Sequence, residues 1–232
     1  MRNCVITGGS NGIGLDMTKR FINRGYKVIV LDIKDCPLED VEYIQTDLSN
    51  PDSIDKAFIQ IKEKYKKLHV LINNGAVSSF TKSIDQVILE DYNFILDTNL
   101  RGAYLCAKAF IDLNKGENYG RIINISSTRF HQNEADCELY GMSKGGIVSM
   151  TNSLCVSLIK TPITVNAISP GYICTTDYSK LDQLDHDIHP SNRVGKPQDI
   201  SNVALFLAEA ENDFINGANI IVDGGMTKKM IY

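Results

Sequence analysis

Apolar residues along the chain follow two alternating rhythms. Asn3–Thr7 (NCVIT), Lys27–Asp32 (KVIVLD), Glu42–Gln45, Val70–Asn73, Arg121–Ser126 (RIINIS), Thr164–Ser169 and Asn219–Val222 read as strands. Several are apolar along nearly their whole length rather than at alternate positions, which predicts burial on both faces. Between them apolar residues recur at helical spacing. Gly12–Arg24 carries Ile13, Met17, Phe21 and Ile22 on one face, and Asp52–Tyr65, a long region across Glu90–Asn114, Glu138–Ile159 and Gln198–Ala208 follow the same rule. Strands separated by helices of this length predict an α/β fold, a Rossmann-type doubly wound parallel sheet with right-handed crossovers. No repeat or flexible linker divides the chain, so residues 1–232 read as one domain. Ligands of such sheets bind beyond the carboxyl ends of the strands, and chemistry is sought there.

Composition narrows the class without naming a reaction. With 43% hydrophobic and 22% charged residues the chain is an ordinary globular one, and its net charge of −4 weighs against nucleic acid as a partner. No apolar run approaches the roughly 18 residues of a membrane span, and Met1-Arg2-Asn3-Cys4 runs straight into a strand, so a cytoplasmic protein with no membrane partner is expected. The six cysteines (Cys4, Cys36, Cys106, Cys137, Cys155, Cys174) are scattered, with no CxxC pair and no cysteine–histidine cluster, so neither a disulfide frame nor a metal site is expected.

Three strand ends carry candidate chemistry. The first strand enters Thr7-Gly8-Gly9-Ser10-Asn11-Gly12-Ile13-Gly14 just before a helix. Glycines let backbone approach a pyrophosphate, which a helix N-terminus stabilises through free N–H groups; a plain strand–helix turn is the bland alternative. Asp32 ends the second strand, where a carboxylate accepts from both hydroxyls of an adenosine ribose and repels a 2′-phosphate, so NAD is favoured over NADP. Asn11 is neutral, and Lys34 is the cation near enough to soften that choice. Tyr140 and Lys144 stand at i and i+4 on one helix, and an ammonium held near a phenol lowers its pKa. Such a tyrosine can exchange a proton with an alcohol or carbonyl oxygen. Ser127, at the same edge of the sheet, can hydrogen-bond the same oxygen.

In order and spacing these residues resemble the short-chain dehydrogenase/reductase family over essentially the whole chain. The likeness is carried by Thr7–Gly14 (TGxxxGxG), Asp32, Asp47-Leu48, Asn73-Asn74-Gly75-Ala76, Asn99, Ser127, Tyr140–Lys144 (YxxxK), Pro170–Thr175 (PGxxxT), Arg193–Ile200 and Val222–Gly225. The resemblance implies an NAD-dependent enzyme interconverting a secondary alcohol and a ketone. In it Tyr140 is the general acid/base, Lys144 binds the nicotinamide ribose, Ser127 polarises the carbonyl and Asn99 holds a water in a proton relay. It implies a cofactor site built from Gly8, Ser10, Asn11, Gly12, Ile13, Gly14, Asp32, Ile33, Asp47, Leu48, Asn74, Gly75, Ala76, Pro170, Gly171, Ile173 and Thr175, together with Tyr140 and Lys144. It also implies a homodimer or homotetramer built through Glu90–Asn114 and Glu138–Ile159; Met226–Tyr232, past the glycine pair, reads either as joining another subunit or as closing over a neighbouring site. No metal is implied.

Departures from the pattern refine the expectation. Asn73–Ala76 reads Asn-Asn-Gly-Ala where the family has Asn-Asn-Ala-Gly, and Ile33–Val41, interrupted by Pro37, is too short for the usual helix. Residues 176–192 stand where the family has its substrate lid; they are polar and acidic, and His186 and His189 suggest mobile polarity rather than metal ligation. The stretch Thr128–Glu134 is polar, and since such residues often face the substrate in the family it resembles, the resemblance implies a small polar substrate rather than a steroid or long acyl chain; Arg129 within it reads equally as a substrate contact or a structural charge partner. Two other functions share these residues: a 3-oxoacyl-thioester reductase acting on an acyl-carrier protein, and a catalytically silent nucleotide sensor.

Overall fold

The computed structural model describes residues 1–39 and 41–230. Among these residues seven strands form one sheet: β1 (Asn3–Thr7), β2 (Lys27–Asp32), β3 (Glu42–Gln45), β4 (Val70–Asn73), β5 (Gly120–Ile125), β6 (Ile163–Pro170) and β7 (Asn219–Val222). Their order is β3-β2-β1-β4-β5-β6-β7, every pair parallel, with Asn3 beside Lys27, Cys4 beside Val70 and Gly120 beside Ile163. Strand order reverses between β1 and β4, where the two crossovers leave in opposite directions and open a crevice.

Alternate residues of each strand serve opposite faces. Val5, Ile29, Leu31, Leu71, Ile122 and Val165 pack under α2 (Pro51–Tyr65) and α4 (Gly102–Asn114). Cys4, Ile6, Val28, Val30, Ile72, Ile123 and Ile168 pack under α1 (Gly12–Asn23) and α7 (Pro197–Ala208). This two-sided burial is why the strands are continuously apolar. The remaining helices are α3 (Leu89–Leu96), α5 (Glu138–Ser157) and the short α6 (Gln183–Asp187).

Most differences from the pattern are single residues at element ends. α2 and α7 begin at Pro51 and Pro197, one residue before the pattern places them, since proline fits the first helical turn and has no N–H to leave unpaired. The long region expected across Glu90–Asn114 is broken: α3 and α4 are joined by a π-helical turn, Asp97–Arg101, containing the buried Asn99. As expected, residues 33–39 form no helix. Among the described residues no helix is long and apolar enough to cross a membrane.

Candidate active site

The carboxyl ends of β1, β2, β4, β5 and β6 surround a cavity of about 540 Å³. The β1–α1 turn sits at its centre. Gly8 and Gly12 have φ of +63° and +52°, the left-handed region that glycine enters without penalty. Gly14 is held by space instead: a Cβ there would stand 1.9 Å from the Gly8 carbonyl oxygen. Asn11 precedes α1 without a side-chain cap, and the first turn holds no acid, whereas α2 is capped by Asn50 and carries Asp52. The leading N–H groups of α1 therefore remain free to meet an anion. This uncapped end and the glycine-cleared cradle beside it fit a dinucleotide pyrophosphate.

Asp32 is held at the cavity's far end. One carboxylate oxygen accepts from the Ser10 N–H (2.9 Å) and the other from the Lys34 N–H (3.0 Å), which leaves acceptor sites on both. Asp47 spends Oδ1 on the Ser49 N–H and hydroxyl, and Leu48 forms part of the wall. Thr7 Oγ1 accepts from the N–H groups of Asn74 and Gly75 (3.0 and 2.9 Å), drawing the β4 end onto β1. Here the Gly75-Ala76 order has a reason. A Cβ on Gly75 would lie 2.5 Å from Leu48 Cδ1, and one on Gly8 would lie 2.6 Å from Gly75 Cα.

At the opposite end β5 and α5 clasp each other reciprocally. Lys144 Nζ donates to the Ile125 carbonyl (2.9 Å), and Ser126 Oγ donates to the Lys144 carbonyl (2.8 Å). Lys144 Nζ stands 5.6 Å from the Tyr140 ring centroid, and Ser127, Tyr140 and Lys144 all line the cavity. Burial pushes Lys144 down to about 8. The Tyr140 phenol is raised above its ordinary value, mainly by burial, while the Ser127 hydroxyl and Arg129 guanidinium pull the other way. This reverses the expectation that Lys144 lowers the phenol: one of its three ammonium N–H groups goes to the Ile125 carbonyl, its charged form is itself disfavoured by burial, and desolvation of the phenolate dominates.

Of the residues singled out in the sequence, Gly8, Asn11, Gly12, Ile13, Gly14, Asp32, Ile33, Asp47, Leu48, Asn74, Gly75, Ala76, Ser127, Tyr140, Lys144, Pro170, Gly171, Ile173 and Thr175 line this cavity. Ser10 and Asn99 stand behind its wall. Asn99 Nδ2 donates to the Val77 carbonyl (3.0 Å) and Ser143 Oγ (3.1 Å), and its Oδ1 accepts from the Val77 N–H (2.7 Å), so the side chain braces Val77 against α5. Thr46, Val77, Ser78, Phe94 and Thr98 line the cavity without any local motif to mark them. Ser143 was legible only as one more residue on the Tyr140–Lys144 helix.

The polar segments resolve further. Arg129 pairs with Glu134, the charge-partner alternative. Cys174 is buried in the wall segment. His186 and His189 point to different partners, Val194 N–H and Asp185 carbonyl, and among the described residues no group of three metal-ligating side chains occurs. Of Met226–Tyr232, residues 226–228 form a 3₁₀ turn, while Ile231 and Tyr232 lie outside the described residues.

Comparison with known proteins gives the same class. A family model described as enoyl-(acyl carrier protein) reductase matches residues 8–227. An uncharacterized oxidoreductase of Thermotoga maritima is 40% identical, covering 98% of this chain and 96% of its own. The 3-oxoacyl-[acyl-carrier-protein] reductase MabA of Mycobacterium tuberculosis is 30% identical over 97% and 92%. The ligand-free aldohexose dehydrogenase of Thermoplasma acidophilum superposes with a TM-score of 0.92 at 30% identity, covering 99% of this chain and 95% of its own. Two further structures at 27% identity hold opposite cofactors: 4-hydroxyisoleucine dehydrogenase with NADH (TM-score 0.91, covering 99% and 100%) and ElxO with NADP (0.88, covering 98% and 99%). With this topology, this cavity and these relatives, the chain belongs to the short-chain dehydrogenase/reductase family of oxidoreductases.

Proposed function

We propose that the protein interconverts a secondary alcohol and a ketone on a small polar substrate, with NAD as cofactor and Tyr140 as general acid/base. One observation carries the reading. A single cavity joins the Asp32 carboxylate at one end to Ser127, Tyr140 and Lys144 at the other, with the free N-terminus of α1 between them. A nicotinamide cofactor, when bound, supplies hydride transfer. Gly12, Ile13 and Gly14 would hold its pyrophosphate, Asp32 its adenosine ribose, and Lys144 the ribose near the catalytic end.

The chain's own contribution is proton handling and positioning. Burial keeps the proton on the Tyr140 phenol near neutrality, so the group meets a ketone as an acid. Ser127 Oγ shares the cavity with the phenol and donates to the same substrate oxygen. In the oxidative direction, the positive charge of a bound nicotinamide adds to Ser127 and Arg129 in favouring the phenolate. Asn99 braces Val77 and α5, and in this reading it also holds a water in a proton relay. Residues 176–192 are read as the cover over the substrate end. A homodimer or homotetramer through α3–α5 completes the reading, supported by the outward-facing Tyr92, Tyr104 and Met142.

Reduction of an acyl-carrier-bound 3-oxoacyl thioester is the second reading, favoured by the family description and the mycobacterial relative. Asp32 and the net charge of −4 weigh against it, since an acidic carrier needs a basic surface. The test is nucleotide reduction with NAD and NADP in parallel across polyols, sugars, hydroxy acids, sterols and simple secondary alcohols, with a 3-oxoacyl thioester assayed in reverse. Turnover with NAD on a polar alcohol is expected, and NADP preference or thioester-only activity overturns the assignment. Tyr140→Phe should lower turnover by roughly two to four orders of magnitude while reduced nucleotide still binds. Undiminished turnover would remove Tyr140 from its role.

A further inference from the structure

One residue beside the 176–192 segment is gripped twice. Val194, fully buried, donates its N–H to His186 Nδ1 (3.1 Å) and accepts the Tyr178 hydroxyl at its carbonyl (2.8 Å). His186 lies on α6 and Tyr178 on the 3₁₀ turn Tyr178–Lys180, so both structured parts of the segment hang on one stretch of backbone. That stretch is stitched to the cavity wall: the Gly195 N–H donates to the Tyr172 carbonyl (3.1 Å), and the Cys174 N–H donates to the Gly195 carbonyl (3.0 Å). Ile173 and Thr175, on either side of Cys174, line the cavity.

We propose that His186 is a positioning residue for the reaction: its uncharged imidazole, accepting through Nδ1, holds the 176–192 segment against the cavity wall, and acid releases it. This rests on reading that segment as the cover of the site. The argument is one of hydrogen-bond roles. A backbone N–H can only donate, so Nδ1 must be the unprotonated nitrogen, and protonating it sets two donors face to face. His189, three residues on, is the internal contrast. Its Nδ1 meets the Asp185 carbonyl (3.1 Å), which can only accept, so that contact survives in either charge state.

The charged and titratable groups around His186 come from several elements. Asp182, Asp185 and Asp187 share its helix or cap, and His189 follows it. The Tyr178 ring stands 5.7 Å away with Lys196 4.4 Å from that ring, and Arg193 reaches the Val194 carbonyl (3.3 Å) while paired to Asp199 of α7. Lys229 donates to the Asp187 carbonyl (2.6 Å), and the Tyr172 ring lies 6.1 Å from His189.

Amide hydrogen exchange of the full chain without nucleotide, corrected for intrinsic rates and followed from pH 8 to pH 5, tests this directly. Protection of the Val194 amide should fall about tenfold toward acid in the wild type. In His186→Asn, whose Oδ1 takes the place of Nδ1 and does not titrate, protection should stay flat, and in His186→Leu it should be low throughout. Wild-type protection that is flat with pH overturns the proposal, as does an acid loss that persists in His186→Asn or vanishes in His189→Asn instead. In turnover assays the wild-type KM should climb toward acid more steeply than that of His186→Asn, with kcat tracking in both. The exchange measurement needs no substrate, so its outcome is separable from a failure of the assigned reaction.

Discussion

Gly14→Ala probes the nucleotide cradle at its tightest contact. The added Cβ would stand 1.9 Å from the Gly8 carbonyl oxygen and 2.6 Å from Asn74 Nδ2, so the turn must retreat by more than an ångström. Neither neighbour is free to give way. The Gly8 N–H donates to the Leu31 carbonyl (2.8 Å), and Asn74 Nδ2 donates to the carbonyls of Thr7 and Gly8 (3.1 and 3.0 Å). Overpacking against tethered backbone belongs at the top of the usual range, about 3 kcal/mol. For a chain of this size, that lowers Tm by roughly 6–12 °C. The displaced turn also spoils the anion-facing end of α1, so affinity for reduced nucleotide should fall at least tenfold. Scanning calorimetry and a nucleotide fluorescence titration read the two effects. Gly145→Ala is the control: nothing lies within 4 Å of its Cβ, and alanine favours the interior of α5, so Tm should hold or rise by a few degrees. A Gly14→Ala protein with wild-type melting and wild-type nucleotide affinity would refute the argument that this contact shapes the site.

Two other perturbations read the two ends of the cavity. Lys144, pushed down to about 8 by burial, binds fewer protons folded than unfolded between about pH 8 and its ordinary value near 10.5, so stability rises with pH across that window. The cost of the buried ammonium is fully present below the folded value, and urea melts should show wild-type stability gaining about 2 kcal/mol on Lys144→Met between pH 7 and 9.5. A constant difference would mean that Lys144 is not desolvated as the structure has it. Asp32→Ala removes the carboxylate that a 2′-phosphate would face, and the ratio of kcat/KM for NADP to that for NAD should rise at least tenfold. An unchanged ratio would place cofactor choice elsewhere in the adenosine pocket.

The strands, the helices and their parallel order were legible because two-sided burial writes itself as continuous apolar runs, and Val5, Ile29 and Leu71 needed no distant information to be read as core. Lining residues with a local signature, such as the Gly8–Gly14 turn and the Tyr140–Lys144 pair, were legible for the same reason. Thr46, Ser78, Phe94 and Thr98 were not, since they reach the cavity only because separate crossovers end at one sheet edge. The break at Asp97–Arg101 was equally hidden: its residues are compatible with a continuous helix, and the buried Asn99 contacts to Val77 and Ser143 stand where the extra residue in the turn is accommodated.

What the sequence determined by itself is therefore periodic or local: the α/β order, the glycine turn, the acid at the end of β2, and the presence of a tyrosine, a lysine and a serine at one edge. Tertiary structure decided the electrostatics and the partners. Whether Lys144 depresses the Tyr140 phenol or burial raises it depends on how much water each loses, and on the Ile125 carbonyl that takes one N–H of the ammonium. Whether a histidine pair three positions apart ligates, latches or merely packs depends on which backbone group, donor or acceptor, the fold brings to each ring. Spacing along a chain sets which side chains share a face, but the charge state of a buried group is fixed by the atoms that surround it in three dimensions.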